Sequence, residues 1–256
     1  MEYLIQIATP SAWAVMFFVA FFAGVVKGVV GFSMPMVMVS GLGSVVSAEM
    51  AIAGMILPAL VSNLWQALRQ GPKAAWDAIR RFRVFLLAGV AVLLVAAQLV
   101  AVLPHHIALL IIGVPITVFA ISSLLGKPLR LPSNPSTLTE AIIGGVTGFF
   151  GGISGVWGAT TVAMLTAQNV GKTEQMRIQG VIYGLGAVAL MFAHMASGVL
   201  RAETAPLSAL LVLPAIIGIG LGFLVQDRID QTTFKRVTLL VLLIAGLNLI
   251  RRGLFV

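Results

Sequence analysis

The chain contains no cysteine, few acids and little charge of any kind. Without cysteine there are no disulfides and no thiolate metal sites, and no redox compartment can be read. There are only 3 histidines, two of them adjacent (His105, His106), which argues against a metal centre. Charged residues make up 9% of the 256, against about 25% in a soluble domain. The acids number 8: Glu2, Glu49, Asp77, Glu140, Glu174, Glu203, Asp227 and Asp230. All of them stand at the edges of apolar runs, so no carboxylate is expected deep in the chain's apolar segments. Cation pumps and metal carriers usually need one there. Catalytic patterns are missing as well. There is no Gly-x-Ser-x-Gly, no His-Glu-x-x-His, no phosphate-binding Gly-x-x-x-x-Gly-Lys loop and no acid pair. An enzyme is not expected, and no cofactor is implied.

What the chain does have is apolar length. Apolar residues make up 59%, and the mean hydropathy is +1.07. Such a chain cannot cover itself with a water-compatible surface. A membrane span needs about 20 apolar residues, so the length fits about eight spans with short loops. The fold class expected is all-α, polytopic and membrane-integral. The net charge of +8 would suggest nucleic acid in a soluble protein. Here the basic residues fall between apolar runs, where they set topology, and no nucleic-acid partner is expected. Residues 1–4 lack a basic leader, and no small-residue cleavage site follows, so the first span is expected to be retained.

The apolar runs are too long for simple spans. Residues 11–48 are interrupted only by Lys27. As one helix they would reach ~57 Å against a bilayer core of ~30 Å. Gly28, Gly31 and Pro35 mark the expected break. A span at 50–68 follows, then a basic amphipathic link with Arg69, Lys73, Arg80, Arg81 and Arg83 against one acid, Asp77. That link reads as cytoplasmic. Residues 84–125 split at Pro104-His105-His106, and a Pro-rich polar stretch follows. The division expected is a first membrane repeat at 1–126, a cytoplasmic linker at 127–138 and a second membrane repeat at 139–256. In the second repeat, 141–171 is again too long and glycine-rich, followed by spans at 178–200, 204–225 and 233–250.

A shift of 120 positions places Gly24, Gly28 and Gly31 on Gly144, Gly148 and Gly151. Together with the matching order of span lengths, this predicts two homologous repeats with helices broken at the glycines. Secondary transporters are commonly built this way, with the site near the midplane where the halves meet. Loop charge leaves the span count open. If each broken stretch crosses once, each half has four spans. If it crosses twice, each half has five and the halves are inverted. Arg201, Arg251 and Arg252 favour the first; Lys172, Arg228, Lys235 and Arg236 favour the second.

The candidate site follows from charge and backbone. Lys27 either ends a short helix at the interface or anchors an anion at membrane depth, where a lysine costs about 2.5–3.5 kcal/mol. Arg177 is an interfacial anchor or a gate whose planar fork suits oxyanions. Glu49 and Glu174 are expected just before their helices, where the helix dipole favours negative charge. A helix broken in the membrane leaves free N–H groups at the start of its second part, and these can hold an anion. Gly28, Gly31, Gly151 and Gly152 are candidates for that backbone contact, with Ser33, Ser154 and Thr160 adding hydroxyls; all of them could equally serve close helix packing. Asn63, Gln66 and Gln179 are interhelical links or lining of the pathway, and His194 is expected to be an ordinary helix histidine.

The stretches Gly24-Val25-Val26-Lys27-Gly28-Val29-Val30-Gly31-Phe32-Ser33-Met34-Pro35 and Gly144-Gly145-Val146-Thr147-Gly148-Phe149-Phe150-Gly151-Gly152-Ile153-Ser154-Gly155 resemble the paired glycine motifs of the sulfite exporter (TauE/SafE) family. The resemblance covers essentially the whole chain. The family motif continues as Gly-x-Gly-Gly-Gly towards a later proline, where this chain has Ser33-Met34 with Ser40, and Ile153-Ser154 with Thr160. The resemblance implies a multi-pass protein of the bacterial inner membrane. It also implies export of sulfite, a sulfonate or a related organic anion, with a small anion and the lipid bilayer as partners. A homodimer stays open. The rival functions are an anion channel and a membrane subunit that transports nothing.

Overall fold

The computed structural model describes residues 9–99, 104–127, 131, 135–154 and 157–255. Among them the regular elements are all helical. They are α1 (Pro10–Val30), α2 (Met34–Leu42), α3 (Ala48–Leu68), α4 (Pro72–Arg81), α5 (Arg83–Leu99) and α6 (His105–Leu124). The second part of the chain adds α7 (Thr137–Ser154), α8 (Trp157–Ala167), α9 (Lys172–Ala196), α10 (Ala205–Arg228) and α11 (Gln231–Leu254). Among the described residues, 5 helices are long and apolar enough to cross a membrane: α1, α3, α9, α10 and α11. Large apolar side chains such as Phe18, Leu213, Leu87 and Ile244 are exposed, as a lipid-facing surface requires. The chain is an all-α, multi-pass membrane protein.

Local chemistry sets the helix ends. The Thr9 hydroxyl accepts from the Ala12 amide at the start of α1, the Ser47 hydroxyl from Met50 at α3, and the Asp230 carboxylate from Thr233 at α11. Each satisfies an amide that the first helical turn leaves free. α1 ends at Gly31, whose φ of 87° is left-handed, and a glycine tolerates this at no steric cost. Glu49 and Glu174, expected just ahead of their helices, sit inside the first turns of α3 and α9. Arg177 likewise lies within α9, which already begins at Lys172. Half of the expected linker at 127–138 falls outside the described residues, and α7 begins within it at Thr137.

The chain forms two compact units, Met1–Gly71 with Gln179–Ile229 and Pro72–Ile178 with Asp230–Val256. Each unit therefore draws on both sequence halves, and α9 contributes to both.

In the first unit, α1 crosses α10 backbone to backbone. A Cβ on Gly24 would strike the Ala215 carbonyl, and one on Gly28 would strike Ile219 and Gly222. Gly218 faces Phe21 and Gly222 faces Val25 in return, so the two helices run parallel. α3 and α10 are also parallel. Arg201, just before α10, pairs with Glu49 at the start of α3, and Arg69 pairs with Asp227 where both helices end. The Arg69 guanidinium also lies 4.2 Å from the centre of the Phe223 ring, against which Trp65 packs edge-on. α2 runs back along α1: it starts just past Val30, and Gly41 reaches Val19. Its 9 residues cover only ~13 Å, less than half the bilayer core. The first long stretch therefore turns back on itself after Val30.

The second unit uses glycine in the same way. Gly144 packs on the Phe85 backbone and Gly148 on Gly89, so α7 and α5 run parallel in close contact. α6 and α11 pack antiparallel, Gly113 against Gly246 and Gly253 against the His106 carbonyl. α8 runs back beside α7. Met164 and Gln168 share a hollow with Glu140 and Ile143, while Thr160 and Ala163 share another with Val146 and Phe150. Arg81 pairs with Glu174, and Gln231 bonds the backbone at Val170 and Lys172, tying the start of α11 to the start of α9.

Candidate functional site

The interruption between α1 and α2 is three residues, Gly31 to Ser33. Gly31 takes a φ of 87° and Ser33 a φ of 75°. A left-handed serine costs about 1–2 kcal/mol, so surrounding contacts hold this turn in place. Gln66 on α3 supplies one, donating from Nε2 to the Gly31 carbonyl at 3.2 Å. The Ser33 hydroxyl is buried, with no hydrogen-bond partner among the described residues.

One turn before the interruption sits Lys27, only 1% exposed. Its ammonium donates to Asn63 Oδ1 on α3. The Asn63 amide nitrogen in turn donates to the Tyr183 carbonyl on α9 at 3.1 Å. The Asn63 side chain is thus held at both ends. A bond to a charged donor is worth about 1.5–3 kcal/mol, which roughly offsets the cost of placing a lysine at this depth. The charge itself has no counter-ion: Lys27 makes no ion pair among the described residues. The described acids of this unit sit at helix ends, where Glu49 and Glu203 pair with Arg201 and Asp227 pairs with Arg69.

α9 presses on α3 at Gly180, where an added Cβ would meet the backbone of Gln66 and Ala67. Gln179, the neighbouring residue, is fully buried, and both its amide nitrogen and its carbonyl oxygen lack partners among the described residues. It lies one helical turn from Tyr183. Beneath the interruption, the Ser62 hydroxyl bonds the Ala59 carbonyl and the Met34 sulfur.

The structure thus joins Lys27, Gly31, Asn63 and Gln66 by hydrogen bonds around one helix interruption, with Ser33 inside it and Gln179 on the adjoining turn of α9. Gly28 faces elsewhere, into the crossing with α10. Gly151, Gly152 and Ser154 close α7, and their side-chain surroundings, like residues 155 and 156, lie outside the described part. Thr160 is half-buried on α8 and lines an apolar crevice of about 340 Å³. Arg177 is half-buried in the part of α9 that belongs to the second unit. The Tyr183 carbonyl escaped sequence reasoning. It acts through the backbone, and no side-chain pattern marks it. The link from Lys27 to Asn63 was equally hidden, since 36 positions separate them.

Chemically this is a donor-rich polar cluster with one buried cation and no carboxylate bonded to it among the described residues. Among the described residues no cluster of His, Cys, Asp or Glu could hold a metal. The family model described as sulfite exporter TauE/SafE matches residues 16–249. No curated protein and no solved structure matches the chain.

Proposed function

We propose that this chain, which belongs to the sulfite exporter TauE/SafE family and is a transporter rather than an enzyme, is a secondary carrier. On this reading it moves a small sulfur-containing or organic anion, such as sulfite or a sulfonate, out of a bacterial cytoplasm across the inner membrane. The observation that carries the reading is Lys27, buried at a helix interruption, bonded to Asn63 and without a carboxylate partner among the described residues. A cation so placed lacks its counter-charge until an anion arrives. A negative-inside potential then favours exit, by about 2.3 kcal/mol per charge per 100 mV.

The two halves are read as homologous repeats, although the second glycine stretch, expected to break its helix, is helical through Ser154. Support comes from the glycine pairs: Gly24 and Gly28 meet α10 as Gly144 and Gly148 meet α5. In each case two glycines four residues apart press on a parallel helix contributed by the other half of the sequence. Gly151, Gly152, Ser154, Thr160 and Arg177 are assigned to the anion pathway of the second repeat. The link at 69–83 is taken as cytoplasmic by its basic charge.

The test is efflux of labelled sulfite from liposomes containing purified protein. Saturable efflux is expected, with a raised half-saturation concentration in Lys27→Gln. A folded wild-type protein that moves neither sulfite nor any sulfonate overturns the reading. Unitary currents would make the protein a channel instead.

A further inference from the structure

We propose that the site at the α1–α2 interruption is built for an anion that carries one negative charge and a hydrogen-bond donor of its own, and that it rejects dianions. The inference rests on the carrier reading above and narrows its substrate class.

Charge gives the first half. Among the buried polar residues of the first unit, Lys27 is the only ionic one described; the others are Ser62, Asn63, Gln66, Gln179, Thr204, Ser208 and Gln226. The arginines of this unit are more exposed and sit at or beyond its helix ends, where Arg69 and Arg201 are engaged with acids. One buried cation neutralises one negative charge. A dianion would bring a second charge into a low-dielectric interior with nothing to answer it, and an unanswered buried charge is strongly disfavoured.

Hydrogen-bond inventory gives the second half. The Asn63 oxygen accepts from Lys27, and one of its two amide N–H groups goes to the Tyr183 carbonyl. An ammonium has three N–H groups, and the interaction with Asn63 uses one. The unanswered groups then include the second Asn63 N–H, the remaining Lys27 donors, the Ser33 hydroxyl and, one turn of α9 before the Tyr183 contact, Gln179 with its amide nitrogen and carbonyl oxygen. Most of these donate, which suits the oxygens of an oxyanion. The Gln179 carbonyl can only accept. A fully deprotonated oxyanion has no proton to offer it, and a buried acceptor left unmet discriminates against such a ligand. A hydroxyl on the ligand, or the proton of a singly protonated oxyanion, would meet it.

Three probes whose charge is constant near neutral pH separate these factors: 2-hydroxyethanesulfonate (one charge, one donor), ethanesulfonate (one charge, no donor) and sulfate (two charges, no donor). Calorimetric titration of the purified full chain should rank them in that order, with roughly tenfold tighter binding of the hydroxylated sulfonate than of ethanesulfonate. Gln179→Leu should bring that ratio near one while moving ethanesulfonate affinity little. Lys27→Gln should weaken both sulfonates together. Equal affinities of the two sulfonates in the wild type, or sulfate binding tightest, would overturn this inference and leave the carrier reading standing. If Gln179→Leu does not fold, the wild-type ranking alone decides. Failure of folded wild-type protein to bind any probe or to move sulfite would remove the carrier reading, and this inference with it.

Discussion

Lys27 sets two demands against each other. Its charge is costly at this depth, by about 2.5–3.5 kcal/mol, and Asn63 is the partner that makes it tolerable. Replacing it by methionine removes the charge and keeps much of the aliphatic stem. The change also leaves Asn63 Oδ1 unmet, at about 1–3 kcal/mol. The two effects nearly cancel, so Lys27→Met should melt within a few degrees of the wild type. Anion affinity should nevertheless fall about tenfold or more, because a charged hydrogen bond is lost. Melting curves and titrations of one preparation check both halves. A large loss of stability with unchanged affinity would make Lys27 a structural residue.

Among helices, glycine and capping do separate jobs. Gly28 and Gly148 lie where a Cβ would overlap a neighbouring backbone, whereas a Cβ on Gly145 would meet only the Val92 side chain at 3.4 Å. Backbone cannot swing aside as a side chain can, so Gly28→Ala and Gly148→Ala should each destabilise by about 2–3 kcal/mol or more. The same change at Gly145 should gain up to about 1 kcal/mol from helix propensity. Thermal unfolding of the three variants in one detergent tests the contrast, and equal effects would refute it. At α11, the Thr233 amide bonded to the Asp230 carboxylate at 2.6 Å holds that carboxyl below its ordinary value. A folded-state value below the unfolded one gives stability that is present above about pH 4 and lost as pH falls through the folded value. Asp230→Ala should therefore melt lower than the wild type at pH 7, with the gap closing in acid. A gap that does not change with pH would show that the cap works without its charge.

For the whole molecule, the consequential finding is direction. α1, α3 and α10 run parallel in the first unit, so Thr9 ahead of α1, the turn before α3 and the described residues just before α10 lie at one end, and Arg69 and Arg228 lie at the other. Arg201, which argued for the lower span count, is neutralised by Glu49 and Glu203 and loses much of its weight as a topology signal. A chain without cysteine suits single-cysteine labelling without background. Ser11→Cys and Ser44→Cys should react with an impermeant maleimide from the outside of intact cells. Arg228→Cys should react only after permeabilisation. Labelling of all three from one side would contradict the parallel arrangement.

The sequence alone determined the membrane class, the helical content and the position of the first interruption. These follow from local quantities: apolar length against bilayer thickness, and a glycine where the helix must end. It named Lys27, Ser33, Asn63, Gln66 and Gln179 as candidates because polar groups inside apolar runs are conspicuous, and Gly31 because it weakens a helix. It could not say which of them meet. Lys27 finds Asn63, and Asn63 finds a Tyr183 carbonyl 120 positions away, through helix packing that no local pattern encodes. Nor could it separate the roles of Gly28 and Gly31, three residues apart: the first is held by what lies across the helix from it, and the second by the turn of its own backbone. The span count was undecidable from loop charge because an ion pair hides a charge only once the chain has folded. Tertiary structure decided which polar groups meet and how Gly28 and Gly31 differ, since both depend on which backbones approach closely enough to exclude a single methyl group.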